Sequence, residues 1–184
     1  MNVDTITLLK KLVRDPVFVV EMKAVFFEAM MAGYASTEKI VKSSIAELPG
    51  SKLIPPYVKG PWKVSDPYLV NVPLSSYSGG ITIISYESVP VWAMQYFGRY
   101  DEVGVHCLKA ALRDTYSRKV FCGGRGERYF EYGIYHYWND PLPHFGGSIG
   151  RLDIFNSFAG REQVTDGATG TTIGWHSYQG GAMF

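Results

Sequence analysis

The chain is poor in cysteine, in charge imbalance and in uninterrupted apolar runs, and each shortage excludes a class of protein. Its 184 residues include two cysteines, Cys107 and Cys122. Two thiols without Cys-x-x-Cys spacing build neither a disulfide framework nor a zinc knuckle, and free thiols in a reducing cytosol are the simpler reading. Lys and Arg number 18 against 17 Asp and Glu, a net charge of +1 with no basic run. The electrostatic footprint of a nucleic-acid or anionic-membrane partner is therefore missing. The longest greasy stretch, residues 17–31, is interrupted by Glu21, Lys23 and Glu28. It is shorter than the ~20 apolar residues that cross a bilayer. Residues 1–13 show no apolar segment behind a basic one, so no secretory signal is read there and a cytoplasmic protein is expected.

Catalytic signatures are also lacking. His106, His136, His144 and His176 form no His-x-His, His-Glu-x-x-His or Cys/His set, so no metal or cofactor is expected. There is no Gly-x-Ser-x-Gly elbow. Cys122-Gly123-Gly124-Arg125-Gly126 differs from a phosphate loop and leads into a strand. It reads as a tight turn requiring positive φ, with Arg125 near the Cys122 thiol. Cys107 lies mid-helix among apolar residues and reads as a small hydrophobe. Asp66, Asp153 and Asp166 are isolated and read as solvated. No catalytic residue is assigned, and the balance is against an enzyme.

What is present is aromatic: 13 Tyr, 10 Phe and 4 Trp make up 15% of the chain, beside 20 Gly. Rings favour strands, and glycines mark frequent turns. One helix is expected from Asp4 or Thr5 to about residue 14. Asp15-Pro16 then starts a second, as N-cap and first helical residue, ending near residue 32 with Gly33 as its stop. Phe18, Met22, Val25, Phe26, Ala29 and Met30 form its apolar stripe, and Val19, Phe27 and Met31 widen it. Such a helix is buried under a sheet or against a partner chain. Residues 36–61, with Pro49-Gly50 and Pro55-Pro56, read as a connector.

Strands are expected from Trp62, at 81–86 behind Gly79-Gly80, and at 91–97, the last two forming a hairpin about Ser88-Val89-Pro90. A helix is expected at 102–116. A second β region, 128–181, begins with one strand at 129–138 that turns at Asn139-Asp140-Pro141. A further strand runs from Gly146-Gly147 to 155, a polar insertion covers 156–170, and a final strand covers 171–178. Residues 91–98 align with 173–180, matching Tyr96 to Tyr178 and Gly98 to Gly180. The expectation is a single α+β domain of two related helix–β–β–β units. These would form two antiparallel sheets or one continuous sheet, with helices on one side. The parts are N-terminal helices (1–35), a first β unit (60–100), a helix (102–116) and a second β unit (128–181).

Several segments together resemble an uncharacterised bacterial family, the domain of unknown function numbered 5680. They are FFEAMMAGYA at 26–35, Leu48-Pro49-Gly50-Ser51, PVWAMQYFG at 90–98 and Leu108-Lys109-Ala110-Ala111-Leu112. Further on come FCGGRG at 121–126, Tyr135-His136-Tyr137 and WHSYQGG at 175–181. Order and spacing agree over roughly residues 22–182. The family's second half carries a Phe-x-Gly-x-Glu-x-Ile strand, and Phe145-Gly146-Gly147-Ser148-Ile149-Gly150-Arg151 has no such Glu. Members resemble stand-alone domains or tails behind DNA-binding helix-turn-helix domains, which implies sensing or assembly.

Alternation puts Trp92, Met94 and Tyr96 on one face of their strand. The same rule, applied to 129–138 as one strand, sets Tyr129, Tyr135 and Tyr137 opposite Phe130, Tyr132, Ile134 and Trp138. The leading expectation is a small-molecule-binding or sensing module. In it Trp92, Tyr96, Tyr135, Trp175 and Tyr178 stack an apolar or cationic ligand and Glu87 supplies charge. The alternative is a homodimeric interaction module without a ligand, motivated by the apolar second helix. A third possibility is an enzyme whose His/Glu or Cys/His site assembles only in space.

Overall fold

Asp15 and Pro16 start a helix as their chemistry dictates. In the computed structural model, Asp15 is extended (φ −85°, ψ 121°) and its carboxylate accepts from Val17 N at 2.9 Å. This helix, α1, spans Pro16–Ala32 and buries Phe18, Met22, Val25, Phe26, Phe27, Ala29 and Met30. It ends where Gly33 N donates to Ala29 O. The structure describes residues 7, 15–71, 74–142 and 155–184. The helix expected to end near residue 14, the strand expected from Gly146-Gly147, and His144 and Asp153 lie outside them.

After α1 the chain forms β1 (Ser51–Lys59), β2 (Trp62–Val70), β3 (Tyr77–Tyr86) and β4 (Val89–Tyr100). Helix α2 (Glu102–Ser117) follows, then β5 (Tyr129–Tyr132), β6 (Tyr135–Leu142), β7 (Ser157–Asp166) and β8 (Thr172–Ala182). The strands form one eight-stranded sheet in the order β1-β2-β3-β4-β8-β7-β6-β5. Every pairing is antiparallel. The α+β class with an antiparallel sheet is thus as expected, in its single-sheet form.

Four expected elements need correction. The connector at 36–61 contains β1, whose Pro55-Pro56 falls at a register break between Ile54 and Tyr57. β1 is an edge strand, where a residue without an N–H is tolerated. The strand at 129–138 is a hairpin, with Gly133 at φ +61° between β5 and β6. Tyr129 therefore faces Trp138 rather than sharing a side with Tyr137. Asn139-Asp140-Pro141 is not a turn, because β6 runs through it. The insertion at 156–170 holds β7, so each helix precedes four strands instead of three.

Helices α1 and α2 cover one face of the sheet, the face that carries the even-numbered residues of β2, β3, β4, β7 and β8. Trp62, Val64, Ile84, Trp92, Met94, Phe158 and Val164 are buried there with the α1 residues and with Leu108, Ala111 and Leu112 of α2. Trp92 is fully buried; its indole N–H donates to Phe155 O at 2.9 Å and its ring stacks on Phe155 and Phe158. Burying a side chain of this size contributes about 1.5–3 kcal/mol. At the centre, where β4 meets β8, Tyr96 faces Tyr178, Gly98 faces His176 and Met94 faces Gly180. Gly98 is needed because a Cβ there would run into the His176 ring and the Trp175 carbonyl.

Candidate functional site

A glycine turn builds the site. Gly123 and Gly124 adopt φ +68° and +70°, and Arg125 N donates to Cys122 O at 3.3 Å. The reading of this segment as a positive-φ turn is met. The turn passes between α2 and the sheet, where Tyr116 Oη donates to Gly124 O at 2.6 Å. Asn139 Nδ2 donates to Cys122 O and Gly126 O at 3.0 and 2.6 Å, and Tyr137 Oη accepts from Gly126 N at 2.9 Å. Side chains are excluded from the path, since Cβ atoms on Gly124 and Gly126 would press on Met94 Sδ and the Tyr137 ring. The turn thereby delivers the Arg125 guanidinium into the protein interior, where the residue is 5% exposed.

There Arg125 Nη2 pairs with Glu162 Oε1, and Tyr137 Oη donates to Glu162 Oε2 at 2.7 Å. His176 Nδ1 lies 3.3 Å from Glu162 Oε1. Burial alone would raise the Glu162 carboxyl, but the Arg125 charge and the hydrogen bonds from His176 and Arg125 override it and hold it well below the usual range. Burial, reinforced by the Arg125 charge, pushes His176 down despite Glu162. A neutral imidazole carrying its proton on Nδ1 donates to that carboxylate.

A second buried carboxylate has different company. Asp66, on β2, is 7% exposed, and its Oδ1 accepts from Tyr96 Oη at 3.1 Å and Thr82 Oγ1 at 3.3 Å. Among the described residues no cation pairs with it. Burial pushes Asp66 up to about 6, against the pull of the two hydroxyls. The Tyr96 ring stands between the two centres, with the Arg125 guanidinium 5.6 Å from its centroid.

Asp66, Thr82, Tyr96, Arg125 and His176 line an inner cavity of about 40 Å³. This is room for a few atoms or a water, which needs roughly 10–15 Å³. Tyr34, Tyr68, Ser78 and His176 also line a neighbouring recess of about 400 Å³, whose other walls include Lys42, Tyr100 and Lys109. That volume falls at the small end of the ~300–1,000 Å³ typical of ligand sites. Two buried donor atoms beside these spaces lack partners, Arg125 Nε and Tyr100 Oη. Among the described residues no three of His, Cys, Asp and Glu approach closely enough to hold a metal. The two cysteines are free; Cys107 is buried, its thiol raised to about 11 by burial.

Of the residues read as ligand-binding, Tyr96 lines the inner cavity and Tyr178 lies opposite it, with Tyr178 Oη donating to Asn139 Oδ1 at 2.6 Å. The others are elsewhere. Trp92 fills the aromatic core. Tyr135 packs at the core's margin beyond β7. Glu87 is exposed at the tip of the β3–β4 hairpin, its N–H bound to Pro61 O. Trp175 projects from the outer sheet face, where Arg161 stacks over it at 5.2 Å. Asp66, which reads as solvated, is buried. Arg125, Glu162 and His176 assemble from three separate segments.

The outer face holds a groove of about 850 Å³ lined by Leu69, Tyr77, Gln95, Phe97 and Gln179. Phe97 is 55% exposed there. No helix among the described residues is long and apolar enough to cross a membrane. No family model, no curated protein and no solved structure matches the chain.

Proposed function

We propose that the protein is a small-molecule-binding or sensing module whose ligand occupies the recess under α2 and presents a hydrogen-bond donor, an amine or another cation, to Asp66. One observation carries this: Asp66 is a buried carboxylate that faces a cavity with only hydroxyl groups for partners. A carboxylate so desolvated is costly unless something binds it. Glu162 has no such freedom, because Arg125 already neutralises it. Asp66 thus takes the role first expected of Glu87, and Tyr34, Tyr68 and Tyr100 take that expected of Trp92, Tyr135 and Trp175. The measurement is a thermal shift with aromatic amines such as tyramine. Stabilisation of the wild type that disappears in Asp66→Asn supports the reading; no shift with any aromatic cation overturns it.

This reading includes the resemblance to the domain of unknown function numbered 5680 and a cytoplasmic setting. The pattern missing at 145–151 occurs at Phe158-Ala159-Gly160-Arg161-Glu162-Gln163-Val164, with Val in the last place. An internal duplication belongs to it as well. The alignment of 91–98 with 173–180 matches Tyr96 to Tyr178, and that pair also meets across β4 and β8, as an approximate two-fold relation between the two strands would have it.

The outer groove favours a second reading, a homodimeric interaction module. Its support is the exposed apolar set Leu69, Tyr77 and Phe97, not α1, whose apolar stripe is spent on the sheet. Light scattering separates the two: a monomer at high concentration removes the homodimer.

A further inference from the structure

Resting on the ligand-binding reading above, we infer that the ligand is amphoteric: it carries an acid group, carboxylate or phosphate, held by Lys42 and Lys109 at the mouth of the recess while its amine reaches Asp66. The recess, with Lys42 and Lys109, and the inner cavity, with Asp66, share the Tyr34, Tyr68, Ser78 and His176 walls. Lys42 Nζ donates to Tyr68 Oη at 2.5 Å and stands 5.1 Å from the centre of that ring. Lys109 Nζ stands 5.2 Å from the Tyr34 ring. Both rings also line the inner cavity that holds Asp66.

Neither ammonium has an acidic side chain in contact among the described residues. Burial weakens the protonated form of each; Asp66 offsets this in part at Lys42, whereas Lys42 and Arg113 further disfavour the charge on Lys109. Two ammonium groups that repel each other, Lys42 exposed at the mouth and Lys109 partly buried, gain most from a shared anion. The acids on the same wall do not supply it. Asp101 caps α2, its carboxylate accepting from Gly104 N at 2.7 Å, and Glu102 occupies the first turn of that helix. Arg113 is engaged with the carbonyls of Ala35 and Ser36. The two unpartnered donors deeper in, Tyr100 Oη and Arg125 Nε, point the same way, since they suit further acceptor atoms on the ligand. A purely cationic ligand would satisfy Asp66 but meet Lys42 and Lys109 on its way in.

The test is calorimetry with three probes that differ only in their charged groups: tyrosine, tyramine and 3-(4-hydroxyphenyl)propionate. Tyrosine is expected to bind about tenfold or more tighter than either of the others, each having lost one charge-assisted contact. The double variant Lys42→Gln/Lys109→Gln should bring tyrosine down to the level of tyramine and leave tyramine unchanged or tighter. The pair Lys42→Arg/Lys109→Arg, which keeps the charge, should retain the preference and guards against a folding defect. Tyramine binding as tightly as tyrosine, or tyrosine indifferent to the Gln variants, overturns this inference and leaves the ligand-binding reading standing. Failure of all three probes removes both.

Discussion

Two carboxylates are buried against the same face of the same sheet, and they are kept there by opposite means. Glu162 has an arginine, a histidine and a tyrosine around it, and every partner is protein. Asp66 has a threonine and a tyrosine hydroxyl and a cavity. Desolvation acts on both. At Glu162 the Arg125 charge overrides it; at Asp66 no comparable charge is near enough to do so. The first is a closed structural network. The second is an open valence, which is what a binding site requires.

The largest effect should come from breaking the closed side. Arg125→Met leaves Glu162 buried without a cation, and the loss should be about 3–5 kcal/mol in denaturant unfolding. Replacing Glu162 as well, with Gln, should recover much of that loss, because the uncompensated charge is gone.

The open side should respond with the opposite sign. A carboxyl whose folded pKa, about 6, exceeds its unfolded 3.8 binds more protons folded than unfolded between those values. Stability from this group is therefore full at low pH and falls as pH rises through the window, by roughly 3 kcal/mol at about 1.36 kcal/mol per unit. Asp66→Asn should accordingly stabilise the free protein at pH 7, by of order 2 kcal/mol, while removing the response to tyramine. Glu162 and His176 are lowered by folding, so their contribution is lost as pH falls, below about 4.5 for the Glu and from about 6.5 for the His. Urea midpoints of the Asp66→Asn variant should then rise monotonically from pH 3 to pH 7.

Tyr137→Phe removes one acceptor for Gly126 N and one donor to Glu162, and about 1–3 kcal/mol should be lost with the ligand response kept. The smallest effect belongs to the hairpin tip. Glu87 and Ser88 both have positive φ, +46° and +67°, a turn that Asn-Gly fits better. The replacement Glu87→Asn with Ser88→Gly should raise stability by up to about 1 kcal/mol and leave binding untouched, as a residue remote from the recess must.

The helices and the central hairpin were legible because their signals are local. Asp15-Pro16 is a cap, and the 91–97 run alternates about Trp92, Met94 and Tyr96. β1 was hidden because Pro55-Pro56 imitates a turn, and only its place at the sheet edge permits the prolines. β7 was hidden because one of its inward residues is Glu162, which reads as polar until Arg125 is seen beneath it. The outward direction of Trp175 is legible from its spacing: it stands three positions from Tyr178, and an odd spacing along one strand puts two side chains on opposite faces. Arg125, Glu162 and His176 carry no shared spacing, so their meeting depends on the order β8-β7-β6 and on the glycine turn. The Phe158-x-Gly160-x-Glu162-x-Val164 alternation was the one available signal for any of them.

The most direct measurement is an NMR titration of the Asp66 side-chain carboxyl carbon in the ligand-free protein. A midpoint near 6 is the expected result. A midpoint at or below the ordinary value of about 3.9 would mean that Asp66 is solvated or paired, and the open valence on which the site rests would not exist.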